Sequence, residues 1–455
     1  MLTYQDFEKE PDRLVLIERI ISEHQKSDEY RIAKDADEYD RQKNVTINEF
    51  IQKMFTASGI PVQNFVASNN KLTSNFFRRL NKQRCTYSLG NGLTFAQEKT
   101  KEKLGLDADK KLSDAAYKAL IHGVSFVFWN LDHMHVFPMT EFAPVWDENT
   151  GALRAGLRYW RIDKSKPTTA ILYEEDGFTK YRSRGDTMGG FELVEPKRGY
   201  IRTTSMAAAD AHPQVIGEEN YGVLPIVPLW GSDLHQSTLV GIRQSIDSYD
   251  IIRSGFANDM QDCAQIYWLL ENYGGMDDED LTRLRDRLLL QHMAVVDTQA
   301  GGKITPYTQD VPYQARGAYL DRIRAGIYED FGGLDVTSIA AGQKTATEIN
   351  AAYQPLDENA DDFEYQIIEC VQQILRVAGL PEDTPSFKRN RISNQYEQVQ
   401  MVMLEAEYLD DETLLSKLPN ITPDEVEKIM EQRAETEQSR FVRDEQNGAE
   451  TEVQM

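Results

Sequence analysis

Val223-Leu224-Pro225-Ile226-Val227-Pro228-Leu229-Trp230 opens the stretch, closing at Phe331, whose reading decides the fold. Branched aliphatic residues set between prolines read as a short strand. A long helix is expected over 237–269, a compact insertion over 271–311 and a second helix over 313–331. In the first helix Leu239, Ile242, Ile246, Tyr249, Ile252, Phe256, Met260 and Cys263 recur at three- and four-residue steps, one continuous apolar stripe. Arg243, Asp247, Asp250, Arg253 and Asp259 fall on its other faces. Leu320, Ile323, Ile327 and Phe331 share one side of the second helix. The two can pack antiparallel and still leave apolar surface for a further copy. The insertion reads as Gly274-Gly275, a charged helix over 277–290, a strand over 293–296, a Gly301-Gly302 turn and a strand over 303–308. No catalytic cluster accompanies the unit, which argues for a protein that works by shape and assembly.

Outward from this unit the chain reads as α+β. Pro11 starts a helix carrying Leu14, Ile17, Ile20 and Ile21, and further helices are expected over 44–55 and 72–89, the latter ending at Gly90-Asn91-Gly92. After a helix over 112–122 the period changes to that of strands: 124–130, 136–139, 144–146, and 155–162 beyond an Asp147-Glu148-Asn149-Thr150-Gly151 turn. A hairpin pairs 170–173 with 178–181 in an antiparallel sheet. Past Gly332-Gly333 comes a small-residue loop over 334–344, then a long helix over 345–378. It carries Phe363, Ile367, Val371, Ile374 and Ala378 on its core face, Pro355 as a kink, and Gly379 and Pro381 at its end. The C-terminal part is helical again, with Thr422-Pro423-Asp424-Glu425 as a helix start and a disordered acidic tail over 441–455.

Composition sets limits on function. With 455 residues, 40% of them apolar, the chain can bury the cores of two to four domains. It has no apolar run of membrane-spanning length, and Met1-Leu2-Thr3-Tyr4-Gln5-Asp6-Phe7-Glu8 lacks the blocks of a secretion signal, so a soluble cytosolic protein is expected. Cys85, Cys263 and Cys370 stand far apart and read as buried thiols. A net charge of −24 argues against a tight grip on nucleic acid, yet suits a surface along which DNA must slide.

Taken in order, four motifs carry a resemblance to bacteriophage portal proteins of the siphovirus type, over roughly residues 60–435. They are Ser74-Asn75-Phe76-Phe77 leading to Tyr87-Ser88-Leu89-Gly90; and Ile121-His122-Gly123-Val124-Ser125-Phe126-Val127 with Val145-Trp146-Asp147 and Leu157-Arg158-Tyr159-Trp160. The others are Leu224-Pro225-Ile226-Val227-Pro228 before Gln244-Ser245-Ile246-Asp247-Ser248-Tyr249-Asp250, and an acidic helix ending in Asp411-Glu412-Thr413-Leu414. The resemblance implies a portal fold: a wing over 1–235 completed by a kinked helix over 346–382, stem helices over 236–270 and 312–332, a clip over 271–311, a tunnel loop over 333–345 and a helical crown over 383–440. It further implies a ring, usually of twelve subunits, at one capsid vertex, assembled in the host cytoplasm. Double-stranded DNA would pass through it, and the terminase large subunit, a head-tail adaptor, the major capsid protein and scaffold would be its partners. No cofactor and no catalysis belong to that role, and no Gly-x-x-x-x-Gly-Lys-Ser/Thr loop is present. The chain departs from the family at Ala341-Gly342-Gln343-Lys344-Thr345-Ala346, where a Ser-Gly-x-Ala step is common.

Candidate residues follow from these assignments. Val336, Ile339, Gln343 and Lys344 belong to the tunnel loop; the apolar pair suits a constriction that touches DNA without gripping phosphate, whereas Lys344 is either a ring of charge or a solvated lysine. Arg316, Arg322 and Arg324 face either DNA or Asp247, Asp250 and Asp259 in subunit salt bridges. Asp277, Asp278, Glu279 and Asp280 favour the dipole of the clip helix and offer an acidic docking rim. His133 and His135 with Asp132 allow an alternative reading as a metal-dependent hydrolase or nuclease, and His122 is near them in sequence. No third ligand with its own spacing follows, so sheet-surface histidines and no metal are expected.

Overall fold

The computed structural model describes residues 2–51, 53–55, 59–63, 68–185, 189–205, 214–262, 267–271, 277–291, 303–307, 312–337, 346–391, 402–418, 426, 428–430 and 432–433. The chain divides into two compact units, Met1–Arg389 and Asn390–Met455.

In the first unit two antiparallel sheets lie face to face between helices. The three-stranded sheet has the order Ile226–Trp230, Val124–Asn130, His133–Pro138. Its central strand is buried along almost its whole length because both faces are covered. Phe126, Phe128 and Phe137 point to one side and Val127, Trp129 and Met134 to the other, as the two-residue period of a strand requires. The strand that opened the sequence reading is an edge of this sheet, a position in which Pro228 costs no ladder hydrogen bond.

The second sheet is a five-stranded meander, Phe142–Trp146, Leu153–Trp160, Thr169–Glu174, Gly177–Ser183 and Phe191–Arg198. The expected hairpin is present, with Tyr173 opposite Phe178 and Ala170 opposite Tyr181. Gly156 is required here, since a Cβ would stand 2.1 Å from Phe142 Cζ. Phe142 and Tyr173 face the first sheet, while Ala143, Val145, Leu157 and Leu172 face the N-terminal helix Arg13–Lys26. Leu16, Ile17, Ile20 and Ile21 of that helix are buried there, and Asp12 caps it by accepting the Leu14 N–H at 2.9 Å.

On the far side of the three-stranded sheet lie the helices Ala108–His122 and Ala346–Val377. Phe363, Ile367, Cys370, Val371 and Ile374 are buried in that core, and the helix runs through Pro355 to an end at Gly379 with φ 66°.

The two long helices are Leu239–Asp262 and Tyr313–Phe331. Leu239, Ile242 and Ile246 share a core with Ile327, Tyr328 and Phe331, while Arg316 meets Asp259 at the other end, so the pair is antiparallel. Tyr39, Phe77, Leu80 and Ile121 complete that core and root the pair in the body of the unit. The second helix stops at Gly332 in the left-handed region, φ 65°, where the Gly333 N–H reaches the Tyr328 carbonyl at 2.8 Å.

Two expectations need correction. The first long helix, described over Leu239–Asp262, does not reach 269, because Tyr267–Glu271 is a strand paired with Lys303–Tyr307. Tyr267-Trp268-Leu269-Leu270 continues an apolar run that periodicity cannot assign, and its aromatic residues favour a strand. The span 44–55 is a short helix, Val45–Glu49, followed by Lys53–Phe55 paired with Pro61–Gln63. The inserted helix is Asp278–Gln291, and the strand expected over 293–296 lies outside the described residues.

In the second unit Glu405–Glu407 forms a single 3-10 turn and Asp411–Ser416 a short helix whose N-cap, Asp410, accepts the Thr413 N–H. The helix start at 422–425 and the tail 441–455 lie outside the described residues.

Candidate functional site

The first long helix carries a second stripe, polar and buried, beside the apolar one. Asp250, Ser254 and Asn258 recur every four residues, which places them on one face. The chain segment 70–74 runs along that face. Ser74 N–H donates to Asp250 at 2.9 Å, Leu72 N–H to Ser254 Oγ at 2.9 Å, and Asn70 N–H to Asn258 Oδ1 at 2.6 Å. Asn44 Nδ2 also donates to Asp250, and Thr46 Oγ1 donates to Asp247 at 2.7 Å alongside the Tyr39 hydroxyl. Arg243 completes the foot of the helix with an ion pair to Asp35 at 2.8 Å. Burial pushes the Asp250 carboxyl above its ordinary range even though its donors favour the charged form. Within the chain, Asp247 and Asp250 thus bond to the 39–74 region, Asp247 also lying 3.8 Å from Arg243.

Those arginines separate into three cases. Arg316 pairs with Asp259 of the same chain. Arg324 pairs with Asp335 at 3.0 Å, reaches Thr337 Oγ1 at 2.5 Å and lies 6.0 Å from the Tyr328 ring centre. Arg322 is exposed. Val336 is partly buried, packed against the core of Tyr87, Leu334, Tyr353, Leu356 and Ala360. Ile339, Gln343 and Lys344 lie outside the described residues.

The acidic start of the inserted helix has a local explanation. Asp277 accepts the Asp280 N–H at 2.9 Å, and Arg283 pairs with Glu279 at 3.4 Å and with Asp280 at 3.7 Å. These groups remain exposed, with Asp278 beside them.

His133 and His135 point to the same side of their strand, with Nε2 atoms 3.0 Å apart. Asp132 Oδ1 bonds to His133 Nδ1 at 2.7 Å and so orients an imidazole instead of offering a ligand of its own. His122 is elsewhere, 3.0 Å from Asp37, so it does not join them. Among the described residues no group of three or more His, Cys, Asp or Glu is placed to hold a metal ion, and no helix is long and apolar enough to cross a membrane.

The buried polar stripe escaped the sequence reading, although Asp250, Ser254 and Asn258 at four-residue steps were its visible signal.

With this architecture in view, comparison with known proteins places the chain among the phage portal proteins. It belongs to the family described as phage portal protein, SPP1 Gp6-like, whose model matches residues 18–439. The portal protein of Bacillus phage SPP1 is 23% identical over 420 residues, covering 84% of this chain and 80% of that one. The portal protein of Clostridium phage phiCD119 is 22% identical over 367 residues, covering 72% and 77%. Among solved structures, a chain from the neck of a native GTA particle computed with C12 symmetry covers 76% of this chain and 89% of its own, at 11% identity and a TM-score of 0.42.

Proposed function

We propose that this chain forms a homo-oligomeric ring, of twelve subunits, at one vertex of a phage capsid, and that double-stranded DNA enters and leaves through it. The observation that carries the reading is the family match across residues 18–439, which takes in the sheets, both long helices and the insertion. The long helices are the stem, the insertion is the clip that meets the terminase large subunit and later the head-tail adaptor, and residues 383–440 are the crown. The major capsid protein and scaffold surround the ring. Exposed Met260, Tyr313 and Tyr319 on the paired helices supply apolar surface for a neighbouring subunit. A net charge of −24 keeps the duplex from adhering to the ring that passes it. The chain contributes a conduit, and a partner hydrolyses the nucleotide.

Ile339 tests the conduit directly. In the tunnel loop, Ile339→Lys adds a phosphate-gripping charge per subunit, so rings should assemble normally while particles fill poorly with nuclease-protected DNA. Equal protection in wild-type and Ile339→Lys particles would place the constriction elsewhere.

A further inference from the structure

The turn between the strands Val124–Asn130 and His133–Pro138 is built in a way that the portal reading does not use. Leu131, a bulky residue, holds φ at 61°, in the left-handed region that side chains with a Cβ avoid. Its N–H donates to the Tyr221 hydroxyl at 2.9 Å, and Asp132 N–H closes the turn on the Asn130 carbonyl at 2.8 Å. The strained turn presents Asp132 to His133, whose Nδ1–H it accepts. That bond leaves the His133 Nε2 unprotonated, an acceptor with the Asn130 amide nitrogen at 3.3 Å. His135 Nε2 faces it at 3.0 Å, and Phe128 stacks against the His135 ring at 6.2 Å between centres. Two lone pairs meet at one point when the His135 N–H sits on Nδ1.

We propose that His133 and His135 form an open, two-imidazole site for a divalent transition-metal ion of the copper or nickel type, with Asp132 orienting one ligand. The bite distance selects the metal. With metal–nitrogen bonds near 2.05 Å, a 3.0 Å separation subtends about 95°. That angle suits square-planar or octahedral coordination and is narrow for tetrahedral zinc. Asn130 stands beside the pair, its amide nitrogen 3.3 Å from His133 Nε2, and rotation of the amide brings Oδ1 to the same point as a third donor. Lys111 and Arg158 oppose a cation at His135, while Asp107 and Asp132 favour it, so charge around the site is balanced. Water completes the coordination, and the bound ion ties the turn to its strand.

Nothing in the site draws on the portal reading, so its failure leaves that reading untouched. The test uses the full chain without an affinity tag, titrated with Cu2+ and separately with Ni2+ in calorimetry. One ion per chain is expected, with a copper paramagnetic resonance spectrum showing two equivalent imidazole nitrogens. His133→Gln and His135→Gln should each abolish that spectrum while circular dichroism stays unchanged. Asp132→Asn should weaken binding 10- to 100-fold and keep the spectrum, the effect typical of losing an orienting carboxylate. Unchanged copper binding in the doubly substituted His133→Gln, His135→Gln chain, or tighter binding of zinc than of copper, would overturn the proposal.

Discussion

His24 lies between the N-terminal helices and the five-stranded sheet, 2% exposed, its Nδ1 2.8 Å from the hydroxyl of Tyr159. Burial lowers its pKa from 6.5 to about 4, because the interior disfavours the charged imidazolium. The native protein therefore holds His24 neutral while the unfolded chain protonates it below 6.5. Stability attached to this residue is complete above pH 6.5, falls as pH drops towards 4 and levels off below that. Between pH 7 and 4.5 the loss should be about 2–3 kcal/mol. Denaturant titrations at the two pH values, run beside a non-titrating His24→Gln chain, measure it; equal losses in both proteins would remove His24 as the cause. The neighbouring Ile20 and Ile21 were legible in the sequence from their helical spacing. His24 was not, because the partner that buries it, Tyr159, stands 135 residues away on a strand.

At the scale of elements, the first long helix is held by two stripes of opposite chemistry. The apolar one, Leu239, Ile242 and Ile246, was predicted by period alone. The polar one, Asp250, Ser254 and Asn258, depends on segment 70–74, which has no period of its own and whose backbone N–H groups carry no signature in residue type. Asp250→Leu would leave the Ser74 N–H buried without an acceptor and the Asn44 amide with the Ser74 carbonyl alone, and should destabilise the protein by about 2–3 kcal/mol in denaturant unfolding. A cost below roughly 0.5 kcal/mol would mean that the stripe does not fasten the segment. The strand Tyr267–Glu271 illustrates the opposite error. Its apolar residues extended the helical stripe on paper, and only its pairing with Lys303–Tyr307, 30 or more residues later, decides its form.

Across the first unit, the order helix, sheet, sheet, helix explains why the α+β class was readable and the layering was not. Alternation along Phe126, Val127, Phe128 and Trp129 shows a strand buried on both faces, yet nothing local says which element covers each face. The same holds for the paired long helices, where Met260 at 56%, Tyr313 at 62% and Tyr319 at 52% remain exposed in the single chain. If neighbouring subunits cover them, Tyr319→Asp should leave the thermal transition of the isolated chain within a degree or so but shift the oligomer towards monomer. Sedimentation at matched concentrations reads that shift, and an unaltered oligomer would place the subunit contact on another face. Assembly is decided by the mass of the purified, unmutated protein under native conditions. A ring gives a complex near twelve times the 52.1 kDa chain, with a central hole in negative-stain images. A stable monomer of 52.1 kDa at every concentration used would contradict it.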